Sequence, residues 1–143
     1  RRHKNDSFWS FKFGFKKITE GHGSFQKGED KINIKIDQLN ILPLICYEVI
    51  FTKFIQNANI NTNLIVNISE DAWFGDTIGP DQHYVKSIFR AIESGTFFLR
   101  SANKGISAII DNKGKPIKEL KRNEAGNIEF IVPLIKSRTN KND

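Results

Sequence analysis

The sequence predicts an α/β domain, and three stretches carry that prediction. The apolar runs Ile41 to Ile45 and Leu64-Ile65-Val66-Asn67-Ile68 read as short buried strands, and between them Ile50, Phe51, Phe54, Ile55 and Ala58 fall at helical spacing. A strand, a helix and a strand in that order form a βαβ unit with a right-handed crossover. A second helical pattern, at Tyr84, Val85, Ile88, Phe89 and Ile92, begins at Gly79-Pro80 and stops before Gly95, with proline in the first turn and glycine just past the end. In this arrangement the ends of both strands share one sheet edge, so Cys46 is expected beside the segment holding Asn67, Ser69, Glu70 and Asp71. Open α/β sheets bind their ligands at that edge.

Length and composition narrow the class. The 143 residues fit one domain with a real core, and a single cysteine excludes an intrachain disulfide. No apolar run reaches about 18 residues and no signal peptide opens the chain, so the expectation is a soluble chain without a transmembrane helix. The chain lacks methionine and begins at Arg1, which suggests a piece of a longer protein. Its charge of +6 sits at the ends: residues 1–20 hold six Lys/Arg against two acids, residues 134–143 hold three against one, and the middle is neutral. Basic tails on a neutral domain suit loose attraction to an anionic membrane surface, although most such runs are simply solvated.

Taken in order, residues 1–28 mix basic residues, aromatics and glycines, with a weak strand alternation over Phe8, Trp9, Phe11, Phe13 and Phe15. Aromatics among basic residues can stack on single-stranded nucleic acid, but no nucleic-acid-binding motif accompanies them and no such partner is expected. Ile32, Ile34 and Ile36 alternate with Asn33, Lys35 and Asp37 as a half-buried strand. A bend at Asn40 then leads into the buried strand before Cys46. The first helix spans about Ile50 to Asn59, and Ala72-Trp73-Phe74-Gly75 reads as a loop whose two aromatics are either core plugs or substrate walls. On the second helix Lys86, Arg90 and Glu93 fall off the apolar stripe. Phe97 to Leu99 and Ile106 to Ile110 read as strands, Asp111-Asn112-Lys113-Gly114 as a turn, Ile117 or Leu120 as resumed extended structure, and Ile128 to Val132 as a last strand.

Metal chemistry is poorly supported, because His3, His22 and His83 lie far apart and no C-x-x-C or H-E-x-x-H spacing exists. Phosphate loops are absent, and no cofactor is expected. Thiol chemistry at Cys46 remains. A strand-to-helix turn exposes such a side chain, and the following helix N-terminus offers N–H groups and a positive dipole end that favour thiolate and an oxyanion. The competing reading is that a lone cysteine among apolar residues is a small buried hydrophobe. A thiol nucleophile also needs a base. Glu48 is two residues away, and His83 approaches only if the segment from Gly79 folds over the same edge.

Four motifs in order, Ile45-Cys46-Tyr47-Glu48, Asn67-Ile68-Ser69-Glu70-Asp71-Ala72-Trp73-Phe74-Gly75, Gly79-Pro80-Asp81-Gln82-His83 and Arg100-Ser101-Ala102-Asn103-Lys104-Gly105-Ile106-Ser107, resemble those of the bacterial apolipoprotein N-acyltransferases of the nitrilase, or carbon–nitrogen hydrolase, superfamily. The resemblance implies a nitrilase-like αββα sandwich, of which this chain is the C-terminal half only: a divergent basic segment over 1–17, the partial domain over 18–133 and a polar tail over 134–143. It implies an inner-membrane enzyme with its nitrilase-like domain on the periplasmic face. That enzyme moves an acyl chain from phospholipid to the N-terminal diacylglyceryl-cysteine of lipoproteins through a cysteine thioester. On this resemblance Cys46 is the nucleophile, Tyr47 supplies an oxyanion-hole N–H, Glu48 is a supporting carboxylate, and Trp73 and Phe74 are substrate-binding candidates.

The family's catalytic set also includes a glutamate base and a lysine, and neither is matched here. Lys4 in His3-Lys4-Asn5 resembles the start of the lysine motif, but Asp6 to Phe13 do not continue it. The chain alone is therefore expected to be inactive, with a separately encoded N-terminal half as a possible partner. The alternatives are a soluble carbon–nitrogen hydrolase relative acting on a small amide, and a non-catalytic remnant.

Overall fold

The computed structural model describes residues 33–56 and 61–134, all within one unit, Lys31–Asp143. The weak strand at Phe8 to Phe15, Ile32, Lys4 and nearly all of the two basic ends lie outside the described residues. Strands β1 (Ile34–Ile36), β2 (Leu39–Ile45), β3 (Leu64–Glu70), β4 (Phe97–Asn103), β5 (Ser107–Ile110) and β6 (Pro116–Leu120) form one six-stranded sheet in that spatial order. β2, β3 and β4 are parallel, which requires crossovers. A 3-10 turn at Cys46–Ile50 and helix α1 (Thr52–Gln56) lie on the first, and helix α2 (Gly79–Ser94) on the second. The remaining pairs are antiparallel and joined by short turns. Pro43 is tolerated inside β2 because β1 pairs no further than Ile41, so the missing N–H removes no bond on that side.

Strand register sorts the side chains onto two faces. Leu42, Ile65, Phe98 and Ile110 lie in one row and Leu44, Asn67, Arg100 and Ala108 in the next. The apolar members of these rows form the core with Val49, Ile55, Tyr84 and Ala91, beneath the helices. The opposite face carries Pro43, Val66, Leu99 and Ile109, then Ile45, Ile68 and Ser101. Near Phe97 that face is covered by the Phe130 ring, stacked at 5.8 Å, and Ile109 is also buried, whereas among the described residues the end towards Cys46 is open. Ile45 and Ile68 are 66% and 64% exposed. One sheet with one helical layer is one half of an αββα sandwich.

Several expectations are corrected. Ile34 and Ile36 do form a strand, but both are exposed rather than half-buried, because no described element covers them. The turn into β2 is at Asp37, whose φ is 50°, and Asn40 lies buried inside the strand. The expected helix begins at Thr52, after a separate 3-10 turn that ends at Ile50 and an extended Phe51, and its expected end, 57–59, lies outside the described residues. A helix dipole behind Cys46 therefore does not form, since aligned peptide dipoles accumulate only over several turns. α2 has the expected ends, with Pro80 in its first turn and Gly95 left-handed at φ 64°, donating to Ala91 and Ile92 carbonyls. Its buried face is instead Pro80, His83, Tyr84, Ser87, Arg90 and Ala91, while Val85, Phe89 and Ile92 are exposed. Arg90, expected outside, is buried and donates to Thr52 Oγ1 at 3.0 Å. Ile128 to Val132 makes no strand ladder and runs mostly exposed.

Candidate active site

Cys46 follows the last residue of β2, at the strand-to-turn corner that the sequence predicts, and its φ is +48°, which side chains with a Cβ rarely adopt. Two polar side chains hold this conformation. Glu48, in the third position of the turn, reaches back so that its Oε2 accepts the Ile45 N–H at 2.7 Å. Strand structure ends before Glu48, so its carboxylate braces the corner rather than projecting beside Cys46 as a continued strand would. Asn67, from the middle of β3, donates Nδ2 to the carbonyls of Leu44 at 3.1 Å and Cys46 at 3.3 Å.

Beneath the corner lies a buried polar network. Arg100 donates Nη1 to Asn67 Oδ1 at 2.5 Å, Nη2 to Asp71 Oδ2 at 2.6 Å and Nε to the Ile106 carbonyl at 3.1 Å. Asp71 also accepts Ser69 Oγ at 2.7 Å and faces His83 Nδ1 at 2.9 Å. Burial pushes the Asp71 carboxyl up, but the hydrogen bonds from His83 and Ser69 and the Arg100 charge outweigh it and bring it down to about 2. An ionised Asp71 only accepts, so Nδ1 carries the His83 proton, and Arg100 Nη2 at 3.1 Å from that nitrogen is a neighbour rather than a donor to it. Burial depresses the Arg100 guanidinium, and the Asp71 charge opposes that.

The network meets the thiol through Ser69, whose Oγ lies 3.7 Å from Cys46 Sγ, while the Glu70 carbonyl lies 3.9 Å away. Cys46 is half-buried. The expected neighbourhood of Cys46 with the Asn67 to Asp71 segment is thus present. A cysteine–histidine pair is not, because His83 is turned to Asp71 and its buried Nε2 has no hydrogen-bond partner among the described residues. Glu70 sits at the rim with its pKa lowered by the Asn103 amide and the Ala72 N–H.

The aromatics divide. Tyr47 is half exposed, with its ring 5.7 Å from His83 and 6.5 Å from Phe74. Phe74 also packs 5.6 Å from His83 and under Gly79, where a Cβ would lie 2.5 Å from its ring. Trp73, at 81% exposed, projects into solvent from the 3-10 turn Ala72–Phe74. Tyr47, Phe74 and His83 thus form one ring cluster on the residue that follows Cys46, and Trp73 stands apart from it.

The sequence places Asn67 beside Cys46 and Arg100 in a motif, but it does not give their part in holding the corner. A signal was present. Both are polar residues embedded in apolar strand runs, where a buried polar group must find partners.

A family model for carbon–nitrogen hydrolases matches residues 3–137. The chain is 43% identical over 120 residues to the apolipoprotein N-acyltransferase of Rickettsia typhi, covering 83% of this chain and 24% of that protein. With that of Rickettsia bellii it is 45% identical over 120 residues, covering 84% and 23%. The chain thus spans about a quarter of the length of the curated relatives it matches. Among solved structures, a CN-hydrolase superfamily protein of Xanthomonas campestris aligns with a TM-score of 0.60 at 19% identity, covering 71% of this chain and 43% of that one. A nitrilase-superfamily protein of Saccharomyces cerevisiae aligns with a TM-score of 0.60 at 19% identity, covering 70% and 40%.

Proposed function

We propose, from the premise that this chain belongs to the carbon–nitrogen hydrolase family, that it is the nucleophile-bearing C-terminal portion of an apolipoprotein N-acyltransferase. The observation that carries the proposal is Cys46 itself, at a left-handed corner on the sheet edge, braced by Glu48 and Asn67. Strain retained at one residue by surrounding hydrogen bonds is what a positioned nucleophile requires. The names of the curated relatives support the substrates, an acyl donor and an apolipoprotein amine.

In this reading the Cys46 thiolate adds to the ester carbonyl of a phospholipid. The tetrahedral oxyanion takes the Tyr47 N–H, and the lysolipid alkoxide leaves with a proton. The resulting thioester is attacked by the α-amine of the lipoprotein cysteine, which restores the thiol. Glu48 keeps the corner in place, and Trp73 and Phe74 are proposed to face the acyl chain. The base that deprotonates Cys46 and the lysine that shares the oxyanion come from a partner half. The open sheet face supports that arrangement, because Ile45 and Ile68 expose contiguous apolar surface beside the nucleophile. Action at the periplasmic face of the inner membrane belongs to the same proposal, and among the described residues no helix is long and apolar enough to cross a membrane.

The test is a thioester trap read by intact mass. The chain alone with phospholipid in detergent is expected to gain no acyl adduct. Co-expressed with the remaining portion of the Rickettsia typhi relative, it is expected to gain one that vanishes in Cys46→Ala. A stoichiometric adduct on the isolated chain would show that the partner half is dispensable, and none in the combined preparation would sink the assignment.

A further inference from the structure

We infer that Asn67, oriented by Arg100, is a positioning residue that turns the Cys46–Tyr47 peptide so that the Tyr47 N–H faces the carbonyl oxygen of an acyl donor. The inference rests on the reading of Cys46 as an acyl-accepting nucleophile and names the residue that builds its oxyanion site.

The orientation of the Asn67 side chain is dictated by its partners. Arg100 has only donors, so the amide atom 2.5 Å from its Nη1 is Oδ1. The carbonyls of Leu44 and Cys46 only accept, so the atom facing both is Nδ2. Both constraints select the same rotamer, and flipping the amide would set oxygen against two oxygens and nitrogen against a cation. Arg100 cannot shift to allow this, because its other nitrogens are committed to Asp71 and Ile106.

The consequence lies in the next peptide. A trans peptide sends its C=O and its N–H in opposite directions. Asn67 lies in the register row with Leu44 and Arg100, within the layer beneath the helices, and is fully buried. It draws the Cys46 carbonyl towards that layer and so turns the Tyr47 N–H away from it. A 3-10 turn leaves its first N–H groups without partners inside the turn, and that of Tyr47 is one of them. The left-handed φ of Cys46 is the backbone counterpart of this rotation.

The chain holds one cysteine, so its reactions are read by intact mass without ambiguity. Two probes separate positioning from general thiol reactivity. With iodoacetamide the thiolate displaces iodide from a saturated carbon and no oxyanion forms. With p-nitrophenyl acetate the thiolate adds to the ester carbonyl, forming the S–C bond and a tetrahedral oxyanion, and collapse of that oxyanion expels p-nitrophenolate with the electron pair of the broken C–O bond. The readout is the ratio of acylation to alkylation rate. Changes in thiolate fraction move both rates together and cancel in the ratio, to first order.

Asn67→Asp keeps the side-chain volume and an oxygen for Arg100 but removes the donor. Its ratio is expected to fall by about tenfold or more, a part of the hundredfold to thousandfold that one oxyanion donor is worth in a complete site. Asn67→Ser, too short to reach both carbonyls, is expected to fall similarly. A folded variant with a ratio within twofold of the wild type overturns the inference. Should neither variant fold, the wild type decides: its folded ratio must exceed that of the same chain unfolded in urea, where no donor is oriented, and equality overturns the inference. Because the acyl donor is a synthetic ester, failure of the phospholipid trap leaves this result readable, and the reverse holds too.

Discussion

Replacing Gly105 by alanine tests the buried network from outside the candidate site. Gly105 is buried, and a Cβ there would overlap Asp71 Oδ2 while lying 2.8 Å from Asp71 Cγ and 3.0 Å from Ala102 Cβ. Its φ lies outside the left-handed range, so alanine meets no backbone penalty and the cost is steric. To clear the methyl group the Asp71 carboxylate must leave its 2.6 Å contact with Arg100, a pair whose side chains are both fully buried. Overpacking alone costs about 1–3 kcal/mol. Separating a buried ion pair costs about 3–5 kcal/mol, which dominates, so Gly105→Ala should lose about 3–5 kcal/mol. The control is a double-mutant cycle in urea followed by far-UV circular dichroism, with all four chains in the same stabilising sulfate concentration. In an Asp71→Ala background the methyl group enters vacated space, and Gly105→Ala should cost less than about 1 kcal/mol. Equal cost in both backgrounds would refute the reasoning, since strain would then arise in the turn and not through Asp71.

Acid should weaken the same network. The Asp71 pKa is depressed from 3.8 to about 2, so its contribution is complete above 3.8 and is lost as pH falls from there through about 2. The full shift corresponds to about 2 kcal/mol, of which about 1 kcal/mol is lost by about pH 3, visible as a lower urea midpoint at about pH 3 than at about pH 5 and as a smaller difference in Asp71→Ala. Arg90→Ala should destabilise by about 2–3 kcal/mol because it strips a buried guanidinium from Thr52 and Glu93, whereas Lys86→Ala on the exposed face should stay within about 0.5 kcal/mol; similar urea midpoints for the two would contradict the observed rotation of α2. The basic ends should attract anionic vesicles at low salt and release them as the Debye length shrinks below about 10 Å. Salt-independent binding in a flotation assay, or none at low salt, would count against that charge argument.

Legible in the sequence were the parallel crossover from β2 to β3, both ends of α2, the turn at Asp111 and the meeting of Cys46 with the Asn67 to Asp71 segment. These follow from local rules: apolar runs of strand length, a proline that starts a helix, a glycine free to adopt positive φ, and a crossover that brings consecutive parallel strand ends to one edge. What periodicity could not decide was which face each element buries. Arg90 lies inside because Thr52 accepts from its guanidinium there, Ser87 is buried beside it without a hydroxyl partner among the described residues, and Val85 and Phe89 lie outside because α2 turns His83 and Arg90 to the region that holds Thr52, Asp71 and Tyr47. Ile34, Ile36, Ile45 and Ile68 are apolar and exposed, because burial depends on what stands opposite, and nothing among the described residues does. The network behind Cys46 was likewise a tertiary decision. Asn67 and Arg100 are separated by 33 positions in the chain, and only adjacent strand register brings them to 2.5 Å. A hydrogen bond is set by position in space, whereas a sequence records only position along the chain.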